Sequence, residues 1–291
     1  MKQAAAALVL IFLLSLIPAS SLIGMEQPGN ILIFTRYDEA NKAKNLYTLN
    51  VETGEEQQVA TSLYEAGGWK DGHLWLLDSV DVSREVGRLR LLDLDTDSES
   101  LISENLILNL NQCYSPLLQS PDQQSIAYFE SIDASASPTL TIRQGENENS
   151  YNLPFESPLY LSYWTTSGAY LLLHDGVDHV VAVADGSEVI SGSNIQFSPD
   201  ERFVIYQEEQ RDHNLQLYEL ATGERQNLNV EGWVYAWLPT VILIYEPGSL
   251  MLWHYELETG ELISFEVSGS FESISPDQRY LVINAIDRFS P

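Results

Sequence analysis

An all-β fold built from sheet-forming repeats is predicted for this chain, and three observations predict it. A short turn motif recurs ahead of four-residue apolar runs. A second motif, an alternating strand that ends in a Thr-Gly pair, interleaves with the first. No stretch after residue 25 keeps a helical period over three turns.

The first motif is clearest at Phe197-Ser198-Pro199-Asp200-Glu201, ahead of Phe203-Val204-Ile205-Tyr206. Gln119-Ser120-Pro121-Asp122-Gln123 precedes Ile126-Ala127-Tyr128-Phe129, and Ile274-Ser275-Pro276-Asp277-Gln278 precedes Tyr280-Leu281-Val282-Ile283. Looser copies are Trp69-Lys70-Asp71-Gly72 before Leu74-Trp75-Leu76-Leu77, Trp164 to Gly168 before Tyr170 to Leu173, and Trp237-Leu238-Pro239 before Val241 to Ile244. Proline presets φ in a turn, and Ser or Asp hydrogen-bonds nearby amides. Apolar runs of four suit strands buried on both faces.

The second motif reads Leu46 to Val51 followed by Glu52-Thr53-Gly54-Glu55, Leu215 to Leu220 followed by Ala221-Thr222-Gly223-Glu224, and Leu252 to Leu257 followed by Glu258-Thr259-Gly260-Glu261. Leu89 to Asp97, Val180 to Gly186 and Thr139 to Gly145 are weaker copies. Alternation suits a half-exposed strand, and the glycine supplies the positive φ of a hairpin. The Thr-Gly equivalents fall at Gly54, Asp97, Gly145, Gly186, Gly223 and Gly260, at spacings of 43, 48, 41, 37 and 37 residues. Four strands in about 40 residues mark the blade of a β-propeller.

The Ser-Pro-Asp turn, the apolar strand and the Leu-Tyr-x-x-Asp-x-x-Thr-Gly type of hairpin together resemble the TolB-like, WD-repeat-like propeller repeat, which also occurs in propeller domains of prolyl-oligopeptidase-type enzymes. The resemblance spans residues 30–285. It implies a fold and not a specific activity. TolB carries a further α/β domain for which this sequence leaves no room, so TolB's role in envelope integrity is not implied.

One β-propeller over residues 26–291 is therefore expected, with six blades of four antiparallel strands and seven blades as the alternative. Ile31 to Phe34 opens the series of second strands and Tyr280 to Ile283 closes it. A ring closed by the C-terminal strand, which completes the N-terminal blade, accommodates both and protects the sheet edges.

Residues 1–25 read as a targeting segment. Lys2, the apolar run Ala4 to Ile17, then Pro18-Ala19-Ser20-Ser21 follow the order of a secretory signal cleaved after Ser21. An uncleaved anchor over Ala4 to Ile23 is the alternative, since about 20 residues span a bilayer. Both place the remainder outside the cytoplasm: secreted, periplasmic or on the cell surface. Cys113 is the single cysteine, so packing and sheet hydrogen bonds hold the fold without an internal disulfide.

The chain has 42 acidic and 14 basic residues, a net charge of −28. Such a surface repels phosphate backbones and anionic headgroups, so no nucleic acid is expected, and the membrane only through the N-terminal segment. Asp93, Asp95, Asp97 and Glu104 match positions 1, 3, 5 and 12 of a calcium loop. Ser98 stands where that loop wants glycine, and alignment with Asn50 to Gly54 favours a solvated hairpin. Trp69, Trp164 and Trp237 share one repeat position, read as packing between blades, with an aromatic ligand funnel as the alternative. His174, Asp175 and His179 read as a surface loop. No Gly-x-Ser-x-Gly elbow, phosphate loop or dinucleotide fingerprint is present. The function expected is a monomeric, non-enzymatic propeller without a cofactor, binding a protein or small ligand at one face. The alternative is a propeller enzyme, a lyase or hydrolase, with its site in the loops at the channel mouth.

Overall fold

The computed structural model describes residues 22–23, 31–40, 43–68, 72–81, 85–108, 115–131, 138–155, 159–208, 214–246, 251–266, 269–275 and 281–285, which form strands and turns and no helix. The targeting segment through Ser21, Cys113 and Trp69 lie outside them. The chain divides into two compact units, Met1–Trp164 and Thr165–Pro291.

The first unit holds β1 (Leu22–Ile23), β2 (Ile31–Asp38), β3 (Ala43–Asn50), β4 (Glu56–Gly68), β5 (His73–Asp81), β6 (Val86–Asp93), β7 (Ser98–Ile107), β8 (Leu117–Gln119), β9 (Ser125–Glu130), β10 (Thr139–Gln144), β11 (Asn147–Asn152) and β12 (Tyr160–Trp164). The ladder runs antiparallel from β1 through β7 to β9, β10 and β11, with β8 also on β9. The long strands β4 and β7 each serve two repeats. The first part of β4 pairs with β3 and its end with β5, with register shifts where it changes partner.

The second unit holds β13 (Tyr170–His174), β14 (Asp178–Ala182), β15 (Glu188–Phe197), β16 (Phe203–Gln207), β17 (Asn214–Glu219), β18 (Arg225–Glu231), β19 (Trp233–Trp237), β20 (Val241–Glu246), β21 (Met251–Glu256), β22 (Leu262–Glu266), β23 (Gly269–Ile274) and β24 (Leu281–Ala285). Strands β13 to β18 pair in sequence order, β19 to β22 make a four-stranded sheet, and β23 pairs with β24.

Each apolar run is central in its repeat because it feeds two cores. Leu74 and Leu76 pack with Ile33, Leu46 and Leu63 of the preceding repeat. Trp75 and Leu77, on the opposite face, pack with Leu117, Ile126 and Tyr128 of the following one. Successive side chains of a strand point to opposite faces, so a strand buried on both must be apolar at every position. Ile242 and Ile244 do the same against Ile205, Leu217, Leu228 and Val230. Each such side chain contributes about 1.5–3 kcal/mol of burial.

Both motifs have a local cause. All six hairpin positions have left-handed backbone, from φ 53 at Asp97 to φ 75 at Gly223. In the Ser-Pro-Asp turn the serine is the tie. The buried Ser198 donates from Oγ to Asp200 Oδ1 at 2.7 Å and accepts from the Phe203 amide at 3.0 Å. Ser120 repeats this with Asp122 Oδ1 at 2.6 Å and the Ser125 amide at 2.9 Å.

The free side of β2, where a C-terminal strand was expected, carries β1, with Leu22 opposite Phe34 and Ile23 opposite Ile33. This strand lies upstream of the boundary expected after residue 25. The C-terminal strand β24 pairs with β23.

Candidate functional site

The acidic hairpin places Asp93, Asp95 and Asp97 in one turn between β6 and β7. Asp93 accepts from the Asp95 amide at 2.9 Å, the Thr96 amide at 3.3 Å and the Thr96 hydroxyl at 2.8 Å. These bonds, the Thr96 hydroxyl first, hold the Asp93 carboxyl below its ordinary range. Asn50 makes the same turn in the first repeat, accepting from the amides of Glu52 and Thr53. Glu104 is elsewhere: its neighbour Ser103 pairs with Leu89, four residues up β6 from Asp93. No group of three or more His, Cys, Asp or Glu among the described residues could hold a metal ion.

Of the tryptophans at the shared position, Trp164 is buried and Trp237 packs against the core of Ile242 and Leu228. Their indole N–H groups, like those of Trp75, are buried without a hydrogen-bond partner.

The histidines form a tighter cluster than a surface loop. His179 is buried in β14, with Nε2 3.0 Å from Asp175 Oδ1 and Nδ1 2.9 Å from Glu188 Oε1. His174 Nδ1 lies 2.8 Å from Asp178 Oδ1. Through contacts at both ring nitrogens, His179 links the β13–β14 turn to β15. Glu188 escaped sequence reasoning because it sits beyond the hairpin and reaches His179 across a register shift at Val180 and Val181.

In the first unit, Glu130 accepts from the hydroxyls of Ser103 and Thr141. Glu65 is a partly buried carboxyl on the part of β4 that pairs with β5, 3.2 Å from the Ser115 hydroxyl. Burial pushes it above the ordinary glutamate value, while the Ser115 hydrogen bond and the Lys44 charge pull it back.

The arrangement best suited to recognition lies on the sheet β19–β22. One transverse row crosses it: Trp233 opposite Tyr245, Tyr245 opposite Leu252, and Leu252 opposite Phe265. The middle is buried, since Leu252 joins Val241, Leu243 and Ile274 in a core. Both ends are open, with Trp233 57% and Phe265 51% exposed. Ile263, on the same face as Phe265, is 40% exposed. Trp233 is set by Gly232 (φ 135), where a Cβ would stand 2.4 Å from the Tyr245 carbonyl oxygen. Only glycine allows that approach, and it fixes the strand start from which the indole projects. Sequence reasoning overlooked this row because exposed and buried strand positions carry the same residue types.

Strand, Ser-Pro-Asp turn, doubly buried strand and left-handed hairpin recur through both units, so the chain is an all-β protein of antiparallel repeats, and its sheet β19–β22 carries an apolar row with open ends. No family model and no curated protein matches the sequence. Among solved structures it is similar to TolB from Acinetobacter baumannii, at 13% identity and a TM-score of 0.37, over 83% of this chain and 64% of that one. It thus spans just under two thirds of that TolB chain. AztD from Citrobacter koseri is similar at 13% identity and a TM-score of 0.44, over 86% of this chain and 71% of that one. The β-propeller domain of the Trilobed protease from Pyrococcus furiosus is similar at 12% identity and a TM-score of 0.42, over 84% of each chain.

Proposed function

We propose that this chain is an exported, non-enzymatic propeller that binds a protein or small ligand outside the cytoplasm. The observation that carries the reading is the apolar row of β19–β22, whose exposed ends, Trp233 and Phe265, stand on a packed sheet. Large aromatic side chains held by a rigid scaffold supply contact area at little cost in conformational entropy. The six hairpin repeats support a ring of six blades, with seven as the alternative.

Export is supported by the order of residues 1–21. Cleavage after Ser21 would leave Leu22 and Ile23 as the new terminus, free to pair with β2. N-terminal sequencing of the protein from an extracytoplasmic fraction is expected to start at Leu22. An intact Met1 in the cytoplasmic fraction would contradict export.

Binding is tested by cross-linking the full chain in its producing cell, with Trp233→Ala and Phe265→Ala alongside. A partner captured by the native chain and lost from both variants is expected. Capture indifferent to both substitutions would end the assignment of this face.

A further inference from the structure

Strand β22 is an edge. Among the described residues it pairs only with β21, from Leu262 opposite Tyr255 to Glu266 opposite Met251, with no register shift. The hairpin opens with the Glu256 amide donating to the Glu261 carbonyl. In an antiparallel ladder, bonded and open positions alternate. The backbone groups of Ile263 and Phe265 therefore face β21, and those of Leu262, Ser264 and Glu266 face outward.

Proteins normally blunt such an edge with lysine, proline, a bulge or polar side chains. Two other sheet-end strands, β18 and β11, follow this practice. The exposed positions of β18 are Arg225, Gln226, Asn227, Asn229 and Glu231, and β11 is Asn-Glu-Asn-Ser-Tyr-Asn, exposed at every position but Tyr151. By hairpin register Phe265 is the counterpart of Leu228, which is 4% exposed, whereas Phe265 is 51% exposed. Strand β22 has no proline, no lysine and no bulge, and it shows two large apolar side chains on one face.

The charge around it is of one sign. No lysine or arginine occurs between Arg225 and Arg279, a stretch with eight acidic residues. Four of them are on this hairpin: Glu256, Glu258, Glu261 and Glu266. Glu256 and Glu261 close it opposite each other. Like charges so placed are destabilising unless a cation joins them.

We infer that the edge of β22 accepts a cationic, extended segment of another protein as an added strand. Its backbone pairs with Leu262, Ser264 and Glu266, its apolar side chains cover Ile263 and Phe265, and its lysines or arginines, on the opposite face, meet Glu266 and lie in the field of Glu256, Glu258 and Glu261. Main-chain bonds give such strand addition its affinity, and alternate side chains give it specificity. The inference rests on the binding role proposed above and names the partner's chemistry. Pairing with a second copy of this chain is opposed by its net charge of −28.

The test uses the full chain and a fluorescent octapeptide of alternating lysine and valine, with a glutamate–valine peptide of equal length as control. The lysine peptide is expected to bind, to weaken at least tenfold between 50 and 500 mM salt, on the order expected for several ion pairs, and to protect the amides of Leu262, Ser264 and Glu266 from exchange. Ser264→Pro removes one outward N–H and Phe265→Ser removes the apolar contact. Each is expected to weaken binding about tenfold, the loss of one good contact, with circular dichroism confirming the fold. If Ser264→Pro does not fold, Phe265→Ser and the amide protection decide. Equal binding of both peptides, or protection elsewhere, overturns the inference. So does a salt-induced dimer that both substitutions abolish, since the occupant is then another copy. Loss of partner capture in Trp233→Ala together with native capture in Ser264→Pro overturns strand addition while leaving the binding role standing.

Discussion

Glu65 and Asp200 respond to acid in opposite directions. Burial disfavours the Glu65 carboxylate, so its folded-state value lies above the ordinary 4.5. Its contribution to stability is full below that value and is lost as pH rises through the raised one. Glu65→Gln keeps an acceptor for Ser115 and removes the charge. It is expected to melt higher than the native chain at pH 7, the gain vanishing below pH 4.5 in a series of melting curves. Asp200 is held below 3.8, chiefly by the Ser198 hydroxyl. Its contribution is present above 3.8 and disappears as pH falls through the lowered value. At the same scale, Gly232→Ala forces a methyl to within 2.4 Å of the Tyr245 carbonyl oxygen at a φ that disfavours side chains. A loss of about 2–4 kcal/mol is expected by denaturant titration, adding overpacking to backbone strain.

Among the elements, the Ser-Pro-Asp turn and the histidine-tied hairpin show how a strand end is fastened. Gln123 and Glu201 take left-handed backbone, φ 58 and φ 53, at the fourth residue past their turn's start. Gly168, at φ 75, shows what that position prefers. Gln123→Gly is expected to raise stability by up to about 1 kcal/mol, the cost of a side chain in that conformation. Glu201 is a poorer choice, since its carboxylate accepts from the Ser167 amide and hydroxyl. In the β13–β15 hairpin, His179→Ala removes the ring that Asp175 and Glu188 both contact. A loss of about 2 kcal/mol is expected, measured as a shift in the urea midpoint at unchanged slope.

Over the whole molecule, 42 acidic residues against 14 basic ones set the response to salt and pH. Self-repulsion in the folded state is screened within about 10 Å at 0.1 M salt. The melting temperature is expected to climb by several degrees from about 10 mM to 0.5 M sodium chloride, beyond the Debye crossover. Solubility is expected to be lowest near the sequence pI of 4.2. A melting temperature flat across that salt range would show that the charges are spread too thinly to repel.

The strands and their turns were legible in the residues alone. Over its described residues each of the seven expected second strands is a strand, and each of the six expected hairpin positions is left-handed, including the non-glycine Asp97. That success has a local cause: apolar runs, turn residues and positive-φ positions act within about ten residues of chain. Partnership across repeats was not legible. The escape of Phe265 from burial, the reach of Glu188 to His179 and the pairing of Leu22 with Phe34 depend on register shifts and on which sheet lies next. Those are settled only when strands distant in sequence compete for the same face. The repeating module follows from the residues alone, because module formation is short-range. The tertiary structure decided which edge and which aromatic side chains stay open, because exposure at a strand position is a property of its neighbours and not of its own residue type.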